Sequence, residues 1–274
     1  MTLGRAASLF FGSVSLTWTG TIPAPNIQST VQQSVKEVEE DWRQAGNYSF
    51  IERDIESKRE SKPITKTYQV LMIDGSPYNR LIGIDDRALT PQEQAEEQRK
   101  LQEAIQKRQH ENYRERDKRV AKYERERHQD QAMLLAMVDA FTFRLIGDET
   151  VDGRDCWVFD AQPKPGYEPV TRETKVLKGM RGRMWIDKAT NQWVKVTAEV
   201  VKPVSFYGFF AKVGEGTRFT LEQEPVSQNV WLPKHFCVNV NATALGFLNE
   251  DYVDDESYRD YKPMSQMSAE LQTR

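Results

Sequence analysis

The stretch Gly182-Arg-Met-Trp-Ile-Asp-Lys-Ala-Thr-Asn-Gln-Trp-Val-Lys-Val196 predicts a β-hairpin. Apolar and polar residues alternate in both arms, which is typical of strands with one buried face. Met184 and Ile186 share one face in the first arm, and Val194 lines up with Val196 in the second. Asp and Asn between the arms are turn formers, because their side chains bond their own backbone. The pattern predicts an antiparallel sheet with one apolar face and one solvent-exposed face.

Further strand patterns flank this hairpin on both sides. They cover residues 48–57, 64–73, 78–85, 143–147, 156–161, 217–224, 230–242 and 246–258. In the pair formed by 217–224 and 230–242, Phe219 and Leu221 are expected to face Phe236 and Val238. The chain is therefore predicted to fold mainly as an antiparallel meander.

Two helical regions interrupt the strand patterns. Residues 30–45 carry an apolar stripe at helical spacing, which needs a surface to cover. Thr90 and Glu93 form a capping box that predicts a helix start, and residues 91–131 are dense in alternating charges. This segment is either one long solvent-bridging helix or a helical hairpin broken near residues 110–113. The apolar residues 132–141 are expected to dock on the sheet.

Composition places the chain among globular proteins with a polar insertion. It has 274 residues, a formal net charge of -3 and a mean hydropathy of -0.69, with most of the polarity in residues 91–131. This balance argues against nucleic-acid binding, since acidic residues cancel the basic ones locally. We expect a single domain at 25–262 with a helical insertion at 91–141, and a disordered tail at 263–274.

The first residues resemble a secretory signal. An early Arg5 precedes a short apolar stretch rich in small residues, too short to span a bilayer. Residues 1–24 are therefore predicted to be a signal peptide, and the protein to be soluble in the periplasm. Cys156 and Cys237 lie in separate strands, and the sequence leaves open whether they form a disulfide or are buried thiols.

Two motifs resemble those of the LolA and LolB lipoprotein carriers. Glu149-Thr-Val-Asp-Gly-Arg-Asp-Cys-Trp-Val-Phe159 is similar to a strand motif of that superfamily, and Gly182-Arg-Met-Trp-Ile-Asp187 to its hairpin. The order of helix, meander, helical segment and second strand array is similar as well. The likeness covers about residues 30–85 and 140–260, and is greatest to exported outer-membrane lipoprotein-sorting proteins. It implies an α+β fold, a curved antiparallel half-barrel with an N-terminal helix and a long charged helical insertion.

The resemblance also implies non-catalytic carriage of a lipid, or of the acyl chains of a lipoprotein, by a monomer. The residues expected to line its apolar cavity are Met133, Leu134, Met137, Trp157, Phe159, Met184, Ile186, Val196, Phe206, Phe209, Phe210 and Phe236. The alternative for these side chains is packed core, which is what aromatic clusters and methionines most often form. The alternative is an envelope scaffold whose half-barrel is filled by its own side chains, with the 91–131 segment recognising a protein partner.

Catalysis has little support in the sequence. His110, His128 and His235 are not spaced as metal ligands, and no nucleophile motif, phosphate-binding glycine loop or nucleotide fingerprint occurs. The acidic run at residues 251–256 resembles a solvated strand edge. No catalytic residue, metal or cofactor is therefore predicted.

Overall fold

The computed structural model describes residues 25–58, 61–205, 211–244, 248–249 and 251–265. The predicted signal peptide and most of the predicted tail lie outside these residues, as do Phe206, Phe209 and Phe210. The helices are α1 (Ile27–Ala45), α2 (Pro91–Gln109) and α3 (Tyr113–Ala140), and a 3-10 helix spans Glu173–Gly179. The strands are β1 (Tyr48–Lys58), β2 (Ile64–Ile73), β3 (Ser76–Ile84), β4 (Arg87–Ala88), β5 (Phe141–Val151), β6 (Arg154–Pro163), β7 (Met180–Asp187), β8 (Trp193–Val200), β9 (Val204–Ser205), β10 (Ala211–Val213), β11 (Arg218–Pro225), β12 (Trp231–Val240), β13 (Ala242–Ala244), β14 (Leu248–Asn249) and β15 (Tyr252–Pro263).

Eleven strands form one antiparallel sheet that curves without closing. Its order is β4-β3-β2-β1-β15-β12-β11-β8-β7-β6-β5, so the first long strand lies beside the last. A second sheet of four short strands has the order β14-β13-β10-β9. The predicted fold class, an α+β curved antiparallel half-barrel with an N-terminal helix and a helical insertion, is confirmed.

The hairpin that predicted the fold is present, but its second arm contains a β-bulge. Trp185 pairs with Lys195 and Ile186 pairs with Trp193, which leaves Val194 as the extra residue. The bulge moves Val194 off the face of Met184, and Trp193 takes its place. The prediction that Val194 and Val196 share a face is wrong.

The sheet is apolar on both faces at this point, and the bulge adds Val194 to the second apolar face. Val194 packs with Cys156, Val158, Trp185 and Trp231. Polar groups shield this second cluster: the Arg154 guanidinium lies 4.4 Å from the Trp231 ring centre, and the Trp185 indole nitrogen donates to Glu149 at 2.7 Å. The prediction of a solvent-exposed face is therefore wrong for this part of the hairpin.

Helix α1 covers the opposite face of the same hairpin. Asn26 caps it and accepts from the backbone nitrogen of Ser29 at 3.1 Å. Its stripe of Val31, Val35 and Val38 packs on Trp157, Phe159, Met184, Ile186 and Trp193. Deep in this core, the Trp193 indole nitrogen donates to the Ser34 hydroxyl at 2.9 Å. We call this side of the sheet the helix-covered face.

The charged insertion is a helical hairpin, the second of the two predicted alternatives. The break at residues 110–112 ends α2, and a second capping box, between Asn112 and Glu115, starts α3. Leu101 of α2 packs with Leu71, whereas Tyr123 and Arg127 of α3 lie near Val70 and Met72. Neighbouring residues of a strand point to opposite faces. The two helices therefore lie on opposite sides of the sheet and straddle the β2–β3 turn.

Two arginines hold this helical hairpin to the turn. Arg108 donates to the backbone oxygens of Ile73 and Ser76 at 2.7 and 2.8 Å, and to that of Pro77 at 3.0 Å. Arg119 donates to the Ser76 hydroxyl at 2.7 Å and also pairs with Glu111. The charged segment is docked along its length and does not project as a free arm.

Both cysteines are free thiols. They lie on β6 and β12, which are separated in the sheet by β7, β8 and β11. Adjacent strands are about 4.8 Å apart, so the two sulfur atoms are too distant to bond in this fold.

A candidate ligand cavity

A cavity of about 370 Å³ lies between the sheet and the helices, at the end where α1 and α3 meet β1. Its volume is within the range of about 300–1,000 Å³ that is usual for small-molecule sites. The residues that line it are Trp42, Ala45, Tyr48, Phe50, Glu52, Val70, Met72, Pro77, Asn79, Tyr123, Glu126, Arg127, Leu232, Pro233, Tyr258 and Tyr261. We call it the aromatic cavity.

Aromatic rings from β1 and β15 form its floor. The Phe50 ring centre lies 5.2 Å from that of Tyr261 and 5.9 Å from that of Tyr258. Tyr48 meets Tyr261 edge to face, with ring centres 6.4 Å apart. Antiparallel pairing of the two strands brings these rings together, because Tyr48 is opposite Pro263 and Glu52 is opposite Tyr258.

Helices α1 and α3 form the roof. The Arg127 guanidinium donates to the backbone oxygen of Trp42, and its central carbon lies 5.5 Å from the Tyr123 ring centre. One of its nitrogens is also 3.9 Å from Glu124. These contacts join the end of α1 to the middle of α3.

A row of carboxylates continues from the aromatic cavity along β1 and β15. Glu52 lines the cavity, Asp54 follows it on the same face of β1, and Glu256 is opposite Asp54 on β15. Asp254 is the next acidic group along β15 on that face. The Tyr258 hydroxyl donates to Glu256. The prediction of a solvated strand edge is wrong for Asp254 and Glu256, since β15 lies between β1 and β12 and both side chains are half-buried.

Burial and mutual repulsion disfavour ionisation of these carboxyl groups. Burial, and then the charges of Glu256, Asp54 and Asp254, raise the pKa of Glu52 to about 7. Burial and the neighbouring Asp254 raise the pKa of Asp54 to about 6. The pKa of Glu256 is also raised, mainly by burial, although the Tyr258 hydroxyl opposes the shift. The folded protein therefore retains protons that the unfolded chain would already have lost.

We expect the stability of the protein to fall as the pH rises through this range. A carboxyl group with a raised pKa stabilises the fold fully below its unfolded value, about 4. That contribution disappears as the pH passes the folded values of about 6 and 7. The melting temperature should be higher at pH ~5 than at pH ~8, and Glu52→Gln should reduce the difference. A melting temperature that rises over this interval would contradict the prediction.

The residues predicted to line a cavity lie elsewhere on the helix-covered face. Trp157, Phe159, Met184 and Ile186 are buried beneath α1, together with the partly buried Leu134, Met137 and Val196. Met133 packs on a neighbouring cluster, and Phe236 is half-buried opposite Glu256. None of those described lines the aromatic cavity. A lipid-binding role for them stays a prediction.

Sequence reasoning missed the residues that do line the cavity. Tyr48, Phe50 and Glu52 alternate on one face of β1, and Tyr258 faces them from β15. An alternation of aromatic and acidic residues was the available signal. The acidic run at residues 251–256 predicts a solvated strand edge, because the central position of β15 depends on pairing between the two ends of the chain.

Metal binding and membrane spanning by a helix have no support in the described part of the chain. These residues contain no group of three or more histidine, cysteine or acidic side chains placed to hold a metal. None of the described helices combines the length and apolar character that crossing a bilayer requires. Arg53 of β1 forms a two-point ion pair with Asp86 at 2.6 and 2.7 Å.

The class defined by this fold and cavity is that of α+β half-barrels closed by helices. No protein-family model matches the sequence, and no curated protein is significantly similar to it. Among solved structures, the chain is similar to a LolA superfamily protein from Nitrosomonas europaea, with 10% identity over 88% of this chain and 94% of that one, and a TM-score of 0.36. Structures of the superfamily indicated by the sequence motifs are thus among its neighbours.

Two further solved structures are similar over comparable lengths. A DUF1329 family protein from Desulfovibrio piger is 13% identical, over 88% of this chain and 94% of that one, with a TM-score of 0.35. MucB from Pseudomonas aeruginosa, solved with MucA, is 11% identical, over 84% of this chain and 98% of that one, with a TM-score of 0.19.

Proposed function

We propose that the protein binds a lipid, or the acyl chain of a lipoprotein, in the aromatic cavity without catalysing a reaction. The observation that carries the proposal is the cavity of about 370 Å³ between the sheet and the α1–α3 roof. Val70, Met72 and Leu232 supply aliphatic walls beside the aromatic rings. Each methylene group that such walls bury contributes about 0.8 kcal/mol, so part of one chain is enough for useful affinity.

The docked helical hairpin favours this function over the scaffold alternative. The scaffold alternative requires the charged segment to project as an arm. Instead, Arg108 and Leu101 hold α2 against the sheet. Beneath α1 and the C-terminal part of α3 the half-barrel is filled by its own side chains, but a cavity remains between Trp42, Tyr123 and the aromatic floor. We place the lipid carrier in the periplasm as a monomer, exported by the predicted signal at residues 1–24.

Filling the aromatic cavity should abolish ligand uptake. Ala45, the last residue of α1, lines the cavity, so Ala45→Phe would place a ring in the space that an acyl chain needs. We expect uptake of a fluorescent fatty acid or alkylamine to fall by about tenfold or more. Ala45→Ser is the matched control and should bind like the wild type.

The same purified protein should carry extractable lipid. Mass spectrometry of organic extracts from the wild type and from Ala45→Phe would compare their content directly. Lipid in the wild type and its loss in the filled variant support the proposal. No extractable lipid and no uptake of either probe by the wild type would refute it, provided that circular dichroism shows a folded protein.

A further inference from the structure

We propose that the aromatic cavity selects amphiphiles with a cationic head group, a protonated amine or a quaternary ammonium. This inference rests on the proposed function and adds the chemical class of the ligand. Three features of the described residues carry it: aromatic walls, a half-buried carboxylate inside them, and the surrounding charges.

The walls place several aromatic rings around one space. Tyr48, Phe50, Tyr258 and Tyr261 form the floor, and Tyr123 of α3 lies in the roof. The face of an aromatic ring carries negative electrostatic potential, so it attracts an ammonium group within about 6 Å. A set of such faces around an apolar space is the usual arrangement for binding quaternary ammonium groups.

Glu52 places a carboxylate within these walls. It lines the cavity on β1 and is half-buried, and the charged groups that act on it are all acidic: Glu256, Asp54 and Asp254. A buried charge ordinarily has a partner, because desolvation without one is costly. A ligand cation beside Glu52 would supply that partner and would gain from the loss of water around both groups.

The charges around Glu52 favour a cation over an anion. Asp54, Asp254 and Glu256 each raise the cost of ionising Glu52 through their own charge. Arg127 is the basic residue of the cavity wall, and it already contacts Trp42, Tyr123 and Glu124. Lys66 of β2 is opposite Asp54 in the row of carboxylates, and it does not line the cavity. An anionic head group would therefore meet carboxylates in the aromatic cavity.

Alkyl ligands that differ only in the head group test this inference. The probes are dodecyltrimethylammonium, dodecyl maltoside and dodecanoate, each titrated calorimetrically below its micelle concentration at low salt. The titrations are done at about pH 8, which is above the raised pKa of about 7 for Glu52. We expect dodecyltrimethylammonium to bind at least about tenfold more tightly than dodecanoate, a difference of ~1.4 kcal/mol.

Two variants separate a specific carboxylate from the overall acidity of the protein. Glu52→Gln should remove most of the preference for dodecyltrimethylammonium over the other two amphiphiles. Glu56→Gln removes the same charge from the same strand, at an exposed position outside the cavity, and should keep the preference. Equal effects of the two variants would overturn the inference.

The outcomes also separate this inference from the proposed function. If the three amphiphiles bind with similar affinity, or dodecanoate binds best, the head-group selectivity is refuted and lipid binding stands. If none of them binds, while the protein is folded, both the selectivity and the proposed function fail. Binding of the cation alone, reduced by Glu52→Gln and unaffected by Glu56→Gln, supports both.

Discussion

Replacing Trp193 by alanine is expected to destabilise the protein by about 3–5 kcal/mol, the usual cost of removing a buried aromatic side chain. The ring is 1% exposed and lies in the core cluster that joins α1 to the sheet. Its removal leaves a cavity beneath Val31 and Val35, and it leaves the Ser34 hydroxyl without its donor. Chemical denaturation of the variant and the wild type measures the change in the free energy of unfolding.

A second substitution separates packing from hydrogen bonding at this site. Ser34→Ala removes only the acceptor of the Trp193 indole nitrogen, and should cost about 1–3 kcal/mol because the donor remains buried. The alanine variant at Trp193 should therefore be the less stable of the two. If Trp193→Ala costs less than about 1 kcal/mol, the packing of α1 on the hairpin described above is incorrect.

Replacing Arg108 by alanine is expected to destabilise the protein by about 2 kcal/mol, since bonds to a charged donor each contribute more than neutral ones. The guanidinium joins α2 to the β2–β3 turn through three backbone oxygens. Burial lowers its pKa, which indicates that these oxygens replace water around the charge. In Arg108→Ala, hydrogen exchange should show that α2 and the first turns of α3 open faster than β6 and β7.

The neighbouring Lys107 provides the matched control. It is exposed on the same turn of α2, and Lys107→Ala should change the stability by less than about 0.5 kcal/mol. Arg108→Lys keeps the charge but loses the planar fork, so its stability should lie between those of the wild type and Arg108→Ala. Equal stability of Arg108→Ala and Lys107→Ala would show that the turn holds the helices without this arginine.

Local patterns predicted most of the elements because each depends on neighbouring residues. The Thr90 capping box begins α2 as expected, and Phe219 and Leu221 of β11 pair with Val238 and Phe236 of β12. The Asn112 capping box, which decides between one long helix and two, was present in the sequence but lay within a continuous charge pattern. This capping box distinguishes a helical hairpin from one long helix.

The bulge at Val194 and the location of the cavity could not be obtained in this way. A strict alternation places Val194 with Val196, and only the pairing of Trp193 with Ile186 shows the extra residue. The cavity depends on which strands become neighbours in the finished sheet. The most apolar strands carry most of the residues predicted to line a cavity, and these residues pack beneath α1 and the C-terminal part of α3.

The pairing of β1 with β15 has a kinetic consequence for the cavity. Ser49 and Lys262, which bond across this pair, are separated by 213 positions. Contacts of such long range close large loops and form slowly, whereas the β5–β6 and β7–β8 hairpins need only local closure. The hairpins are therefore expected to form early, and the floor of the aromatic cavity to be completed last. Ligand binding would then report the end of folding, because a chain that lacks its final strand has no floor to bind on.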